Sequence, residues 1–267
     1  MTAPKADANA ANATSGANAT SGANATSGAN VTSGANATSG AAKTAGTRVV
    51  EASFVAGAVE TRGLPAPTFA EIAFAGRSNV GKSSLLNTMV ERRGLVRTSK
   101  TPGCTRQLNV FDVRCSDGLR VHFVDLPGYG WARRSKAERT QWQTMIEGYL
   151  LHRASLRAVA VLVDVRRGIE EEEEQLLEFL GNPRPVSESK PLEIVLVATK
   201  IDKLGAAARR PALDAVKKQA RDLVPVAARG AGRGAARATA MGPAIGFSAV
   251  TGAGREELWS RIRAAVL

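Results

Sequence analysis

The sequence predicts an α/β fold with three layers, in which a mainly parallel central sheet is flanked by helices on both faces. Two observations predict it. Short apolar runs alternate with helical patterns after about residue 50, as in parallel strand–helix–strand units. Several of these runs are apolar at nearly every position, which is typical of strands buried on both faces. The predicted strands are EIAFAG, LNVFDV, VHFVDL, AVAVLVDV, EIVLVAT and AIGFSA, and the predicted helices span 82–91, 136–151, 171–180, 206–222 and 255–265.

The chain divides into two parts of different composition. Residues 1–50 contain the repeat ANATSG, once as ANVTSG, which offers almost no large apolar side chain to bury. Such a tract cannot offset the entropy lost on ordering, so 1–50 is predicted to be a disordered low-complexity tail. Residues 51–267 are predicted to form one domain. Its Ala-, Gly- and Arg-rich stretch 224–241 is predicted to be a long flexible excursion before the last strand.

Composition limits the compartment and the partners. No segment is apolar enough to span a bilayer or to act as a secretory signal, so a cytoplasmic location without membrane contact is expected. Cys104 and Cys115 lack both a disulfide framework and metal-ligand spacing, and reduced thiols are expected. The net charge is +12, and residues 203–240 hold nine Lys or Arg against two Asp. This excess leaves two interpretations open, a polyanionic partner such as RNA or a merely soluble basic surface.

A phosphate-binding loop is predicted at GRSNVGKSS, between an apolar strand and a helix. Glycines there let backbone N–H groups wrap a phosphate chain. Lys82 would reach the β and γ phosphates, and the Ser83 hydroxyl would bind Mg²⁺. The predicted nucleotide contacts in this loop are Gly76, Arg77, Ser78, Asn79, Val80, Gly81, Lys82, Ser83 and Ser84.

Guanine is indicated by the tetrapeptide TKID, which ends an apolar strand where parallel sheets bind ligands. Asp202 can accept from the N1 and 2-amino donors of guanine, a pair that adenine lacks, and the Lys200 stem can cover the purine face. The loop after the strand AIGF would donate backbone N–H groups to the guanine carbonyl. The predicted base contacts are Thr199, Lys200, Asp202, Phe247, Ser248 and Ala249.

Two segments between these motifs are predicted to respond to the γ-phosphate. Thr105 is the candidate that completes Mg²⁺ coordination, and Thr101 is the second candidate. Asp125 would hold the metal through water, and the Gly128 N–H would sense the γ-phosphate. Loss of that phosphate would release both segments. The predicted metal ligands are thus Ser83, Thr105 and Asp125, the predicted catalytic residues are Lys82, Thr105 and Gly128, and Gly103 joins the GTP contacts.

These motifs follow one another in the order of the five motifs of a GTPase, which predicts a P-loop GTPase domain that binds GTP or GDP. From about Ala52 onward the chain also resembles the EngB (YihA/YsxC) family of ribosome-biogenesis GTPases, within the TrmE-Era-EngA-like P-loop GTPases. The resemblance rests on EIAFAGRSNVGKSSLLN, RTSKTPG, DLPGYGWA, QWQTMIEGYL, LVDVRRG, TKIDK and FSAVTGAGREELW. Arg106 departs from it, because the family usually has Gln there.

The resemblance implies a GTP/GDP switch that uses Mg²⁺ and assists assembly of the large ribosomal subunit. The implied partners are the precursor of that subunit and ribosomal RNA, and the implied cellular effect is normal growth or cell division through ribosome supply. A monomer is expected. Two rivals stay open, a GTPase that modifies or serves tRNA and a GTP-controlled binding module with negligible hydrolysis.

Tyr129 follows Gly128 where many GTPases carry a glutamine that orients the attacking water. Direct participation and aromatic packing over the mobile segment both stay open. Either interpretation predicts slow intrinsic hydrolysis that rises on the proper partner. Asn79 also has two interpretations. In members of the broader group an asparagine here helps hold K⁺ against the phosphates, and the alternative is a structural hydrogen bond within the loop.

Two charged segments complete the prediction. The acidic run 170–174 begins a helix and is predicted to be a solvated face that suits the helix dipole rather than a cation site. Arg133, Arg134 and Lys136 follow Gly128, so nucleotide state would present or withdraw their charge. We expect them to contact ribosomal RNA together with the basic segment 209–221.

Overall fold

The computed structural model describes residues 46–96, 107–128, 136–182, 191–223 and 240–267. At 136–139, 141, 142 and 240 it describes the backbone alone. The repeat tail up to residue 45 and most of the stretch 224–241 lie outside the described residues.

The described strands form one sheet. They are β1 (Val49–Ala58), β2 (Glu71–Gly76), β3 (Leu108–Cys115), β4 (Arg120–Asp125), β5 (Leu156–Asp164), β6 (Glu193–Thr199), β7 (Ala240–Met241) and β8 (Ile245–Phe247). Their order is β1-β3-β4-β2-β5-β6, and β7 and β8 share the last position by pairing with opposite ends of β6. The pairs β4–β2, β2–β5, β5–β6, β6–β7 and β6–β8 are parallel. The pairs β1–β3 and β3–β4 are antiparallel.

Five described helices cover the two faces of the sheet. They are α1 (Lys82–Met89), α2 (Lys136–His152), α3 (Glu171–Gly181), α4 (Ala206–Leu223) and α5 (Arg255–Val266). One apolar core joins the sheet to α1 and α5 through side chains such as Leu85 and Trp259. The other joins it to α2, α3 and α4 through side chains such as Tyr149, Leu177 and Val216. The predicted three-layer α/β fold is therefore confirmed.

The sequence does not predict β1, which begins at Val49, two residues before the predicted start of the domain. Its register against β3 shifts between Val49 and Glu51 and again between Phe54 and Ala56. These irregularities break the alternation of apolar and polar residues that marks a half-buried strand. As a result Phe54 is 54% exposed although it lies in a strand.

Helix α5 fixes the carboxyl end of α1. Trp259 Nε1 donates to the Met89 carbonyl at 3.1 Å, and Arg255 donates to the same carbonyl at 3.1 Å and to that of Thr88 at 3.2 Å. The last carbonyls of a helix have no partner within the helix, so these donors satisfy groups that would otherwise lie buried and unpaired. The helix whose first turn carries Lys82 and Ser83 is thereby held at its far end.

The carboxyl ends of the parallel strands meet at one edge of the sheet, as they must in this topology. We call this the carboxyl edge. Polar side chains cluster there in spite of burial: Lys82, Asp125, Asp164, Thr199 and Ser248 are all buried. None of the described helices is both long enough and apolar enough to cross a bilayer.

Candidate nucleotide-binding site

The phosphate loop connects β2 to α1 in a conformation that requires glycine. Gly81 has φ 107°, and a Cβ at Gly76 would come within 2.9 Å of Val80 Cγ1 and 3.0 Å of Leu162 Cβ. The first position lies in the left-handed region that side chains disfavour, and the second has no room for a side chain. The loop therefore presents its backbone at the start of α1, where the helix dipole favours anions.

Lys82 and Asp125 form a buried ion pair at the centre of the carboxyl edge. Lys82 Nζ donates to Asp125 Oδ1, and the two residues are 8% and 1% exposed. Their meeting follows from the sheet, because Asp125 ends β4 directly beside Phe74 of β2. The Ser83 side chain, half-buried, follows Lys82 in the first turn of α1. A hydroxyl and a carboxylate are oxygen donors of the kind that Mg²⁺ accepts together with phosphate oxygens, so these two residues fit that metal.

Gly128 lies against the phosphate loop. A Cβ at Gly128 would come within 3.2 Å of both the backbone nitrogen and Oγ of Ser78, and within 3.4 Å of the Gly76 carbonyl oxygen. A side chain at this position would crowd the loop, so a glycine suits the close approach. Gly128 of the Asp-x-x-Gly motif and Gly76 of the phosphate loop are 52 residues apart in the sequence, and they meet in space.

The TKID motif holds the phosphate loop from its other side. Thr199 Oγ1 donates to the Val80 carbonyl at 2.7 Å, and Lys200 Nζ donates to the Asn79 carbonyl at 2.7 Å. Lys200 adopts φ 62°, an uncommon conformation for a residue with a side chain. The base motif and the phosphate loop are therefore one connected structure.

Ser248 orients Asp202. Its Oγ donates to Asp202 Oδ1 at 2.8 Å, and it accepts from the backbone nitrogens of Val250 and Thr251, each at 3.2 Å. The hydrogen bond from Ser248 lowers the pKa of Asp202, which favours the charged carboxylate that would accept from guanine. The sequence predicts a backbone role for Ser248, whereas the structure adds a role for its hydroxyl. Beside it, the Ala249 carbonyl accepts from Thr88 Oγ1 at 3.4 Å, and Phe247 is buried.

Asp164 and Arg166 belong to the site although the sequence argument gives them no role. Asp164 Oδ2 accepts from Lys200 Nζ at 2.9 Å and from Arg166 Nη2 at 2.7 Å. Its Oδ1 accepts from Arg166 Nε at 2.9 Å and from the Arg166 backbone nitrogen at 3.1 Å. Burial alone would raise the pKa of Asp164, but these hydrogen bonds outweigh it and hold that pKa well below its usual range. One sequence feature could have indicated this role, because Asp164 ends an apolar strand as Asp125 does.

The acidic run at the start of α3 is not wholly solvated, so that prediction is wrong for Glu173. Glu173 is 2% exposed, and it forms a capping box with Glu170, whose backbone nitrogen donates to Glu173 Oε2 at 3.2 Å. Burial raises the pKa of Glu173 to about 7. Arg77 of the phosphate loop forms an ion pair with Glu170 and lies 3.6 Å from Glu172. The run therefore holds the phosphate loop against α3, because the loop's only arginine is bound there.

Several predicted residues lie outside the described ones, namely Thr101, Gly103, Cys104, Thr105, Arg106, Tyr129, Arg133 and Arg134, and only the backbone of Lys136 is described. Cys115 is a buried free thiol. Asn79 is exposed, with φ 66°. Within the described part of the chain its side chain makes no hydrogen bond, and its backbone carbonyl is the group that Lys200 uses.

Comparison with known proteins places this site in context. A family model described as 50S ribosome-binding GTPase matches residues 71–200. A "probable GTP-binding protein EngB" of Anaeromyxobacter dehalogenans strain 2CP-C is 43% identical over 222 residues, which cover 81% of this chain and 92% of that protein. The crystal structure of a probable GTP-binding protein EngB has a TM-score of 0.50 at 22% identity, covering 74% of this chain and 98% of that one. Era in complex with MgGDPNP and nucleotides 1506–1542 of 16S ribosomal RNA has a TM-score of 0.55 at 21% identity, covering 74% of this chain and 57% of that one.

Proposed function

The chain belongs to the EngB family of GTP-binding proteins, and on this premise we propose that it is a GTP-hydrolysing switch that assists assembly of the large ribosomal subunit. It would act as a cytoplasmic monomer and support growth and cell division by supplying ribosomes. One observation carries the guanine-nucleotide part: Thr199 and Lys200 bind the phosphate loop, while Ser248 orients Asp202 next to them. The match to a family described as 50S ribosome-binding GTPase supports the ribosomal part.

The phosphates would bind to the backbone N–H groups of residues 77–84 at the start of α1. Lys82 would leave or share its carboxylate partner and bind the β and γ phosphates. The Gly128 N–H would bind the γ-phosphate, since its backbone already lies against Ser78. Asp202 would accept from guanine N1 and its 2-amino group, with the Lys200 stem over the base.

Mg²⁺ is the cofactor that we assign to this site. Ser83 would bind it directly, Asp125 through water, and Thr105 would complete the set when the γ-phosphate is present. When bound, the ion neutralises charge on the phosphate oxygens. Asp125 is well suited because it is buried beside Lys82, which fixes one of its oxygens.

Hydrolysis would be slow without a partner, because Tyr129 stands where an amide would orient water. Asn79 would help a K⁺ ion to supply the missing positive charge near the phosphates. Its exposed side chain at the phosphate loop supports this assignment. Equal rates of GTP hydrolysis in potassium and sodium buffers would exclude it.

Ribosomal RNA would bind to the exposed face of α4. The helix buries Val216 and Ala220 against the sheet and exposes its cations on the other side. The exposed cations of α4 are Arg209, Arg210, Lys218 and Arg221. Such a face suits phosphate groups, whose contacts dominate the affinity of proteins for nucleic acids. Arg133, Arg134 and Lys136 would add to this contact when the bound nucleotide presents their charge.

Depletion of the protein followed by sedimentation of ribosomal particles tests the proposal. We expect precursors of the large subunit to accumulate and mature ribosomes to fall. Restoring the wild-type chain should reverse the defect, while restoring a Lys82→Ala variant should not, because that chain lacks the cation for the β and γ phosphates. A normal particle profile after depletion would refute the ribosomal role and leave nucleotide binding unaffected.

A further inference from the structure

Asp202, the carboxylate that would recognise guanine, has two partners among the described residues. The Ser248 hydroxyl donates to it at 2.8 Å, and Lys203 Nζ forms a longer ion pair with it at 3.6 Å. Lys200 and Arg166 are both bonded to Asp164 instead. Asp164 thus holds Lys200 and Arg166, while Asp202 pairs with Lys203 alone among the described cations.

We propose that Asp164 is a positioning residue for guanine recognition, which acts by holding Lys200 and Arg166 away from Asp202 so that Asp202 stays available to the base. This inference rests on the proposed base-binding role of Asp202 and Lys200.

Lys200 is held between two acceptors. Its ammonium group donates to the Asn79 carbonyl at 2.7 Å and to Asp164 at 2.9 Å, and its Cε lies 3.9 Å from the position of a Cβ on Gly81. The Lys200 stem therefore lies against the phosphate loop. Without the Asp164 charge, a neutral carbonyl would be the ammonium group's remaining partner. Asp202, two residues along the chain, would then compete with that carbonyl for the Lys200 ammonium group.

Arg166 is the second competitor. Its side chain is 47% exposed, and Asp164 accepts from it through two parallel hydrogen bonds. These bonds raise the pKa of Arg166, and the negative charge of Asp202 contributes to the rise. Freed from Asp164, the guanidinium would be able to pair with Asp202 through two oxygens at once. Both oxygens are needed for the N1 and 2-amino donors of guanine.

Asp164→Asn is the test, because it keeps the shape of the side chain and removes its charge. The affinities of the full chain for GDP, IDP and inorganic tripolyphosphate would be measured by titration calorimetry. IDP lacks the 2-amino group, and tripolyphosphate lacks a base altogether. We expect the affinity for GDP to fall about tenfold and the preference for GDP over IDP to fall severalfold, while tripolyphosphate binds within about twofold of wild type.

Two further variants exclude a general loss of structure. Asp164→Glu retains the charge and should recover part of the GDP preference. In the Asp164→Asn chain, adding Arg166→Gln removes one competitor and should also recover part of it, which a structural defect would not allow.

Asp112→Asn is the matched control. Asp112 also binds an arginine through two hydrogen bonds, to Arg120 at 2.9 and 2.8 Å. It lies toward the opposite edge of the sheet, because it pairs with His122, which pairs with Glu71 at the start of β2. We expect this variant to bind all three ligands like wild type.

The results separate the possible failures. An unchanged GDP preference in Asp164→Asn would overturn the inference, and so would a parallel loss of tripolyphosphate binding, which would assign Asp164 to support of the phosphate loop. If Asp202→Asn in an otherwise wild-type chain leaves the preference for GDP over IDP intact, the proposed base site fails instead.

Discussion

At the scale of single residues, the site depends on which donor binds each carboxylate oxygen. Ser248 fixes one oxygen of Asp202, Asp164 fixes the Lys200 ammonium group, and Lys82 fixes one oxygen of Asp125. Each of these carboxylates has a defined partner within the protein, so its direction is set before any ligand arrives. Such fixed direction is what allows a few hydrogen bonds to discriminate between bases.

Asp202→Asn should change which base is bound. The amide of asparagine donates where the carboxylate accepts, so it opposes the donors of guanine and complements the additional carbonyl of xanthine. We expect GDP affinity to fall roughly 100-fold, because one hydrogen bond is replaced by two opposed donors and the other loses its charged acceptor. Binding of XDP should rise, and competition titrations with both nucleotides would measure the change. Asp214→Asn, an exposed change on α4, is the control, and GDP binding at wild-type strength by Asp202→Asn would contradict the assignment.

Glu173→Gln should alter the dependence of stability on pH. The pKa of Glu173 rises from 4.5 to about 7 on folding, so between these values the folded chain holds a proton that the unfolded chain has lost. The wild-type protein therefore loses stability as pH rises through this window. Glutamine keeps the acceptor for the Glu170 N–H and does not ionise.

The two chains should thus be equally stable below about pH 4, and Glu173→Gln should be more stable by about 3 kcal/mol at pH 8. Urea unfolding at a series of pH values measures this difference. Glu174→Gln is the control for a change of charge on the same turn of α3. A constant difference across the window would show that Glu173 does not titrate as its burial requires.

At the scale of elements, the ends of helices are held by neighbouring elements. Trp259 and Arg255 of α5 bind the last carbonyls of α1, and Arg77 binds the first turn of α3. The last carbonyls of a helix lack partners within it, so the donors of α5 satisfy groups that would otherwise stay unpaired. The carboxyl end of α1 is thus held against α5, and the phosphate loop is held against the start of α3.

Trp259→Phe tests the contact between α5 and α1. It removes the donor to the Met89 carbonyl and part of a fully buried side chain that packs 5.4 Å from the Phe123 ring. We expect the free energy of unfolding to fall by about 2 kcal/mol. Arg263→Gln, also on α5, breaks a partly exposed ion pair with Asp117 and should cost less than about 1 kcal/mol. Equal losses in the two variants, measured by urea unfolding, would argue against a special role for this contact.

At the scale of the whole molecule, the fold and the site differ in how far sequence predicts them. EIAFAG and EIVLVAT coincide with β2 and β6, because continuous apolar runs leave one arrangement that buries them. The bulged strand β1 and the two-residue strand β7 carry no such pattern. In the site, the phosphate loop and TKID follow from local spacing. The roles of Asp164 and Arg77 depend on partners 36 and 93 residues away, at Lys200 and Glu170, and no local pattern reports them.

The positive charge of the chain gives a prediction at the same scale. If α4 binds ribosomal RNA through phosphates, the affinity should fall steeply as the salt concentration rises. The double variant Arg210→Gln, Lys218→Gln should reduce the slope of log affinity against log salt concentration by about one unit per lost contact. Filter binding to RNA of the large subunit across a salt series measures the slope. Arg62→Gln with Arg114→Gln is the matched control, since both arginines are exposed but paired with Glu60 and Glu51. Identical slopes in the two double variants would reject α4 as the contact.

The hydrogen bonds from the end of β6 to the phosphate loop have a mechanical consequence. Thr199 and Lys200 hold two successive carbonyls, so a small displacement of β6 would move both at once. Strand β6 lies on the side of the sheet away from β3 and β4, next to β7, β8 and the basic helix α4. We expect a partner docked on that side to speed or slow the escape of the nucleotide without touching it, and exchange rates of a fluorescent GDP would report the direction.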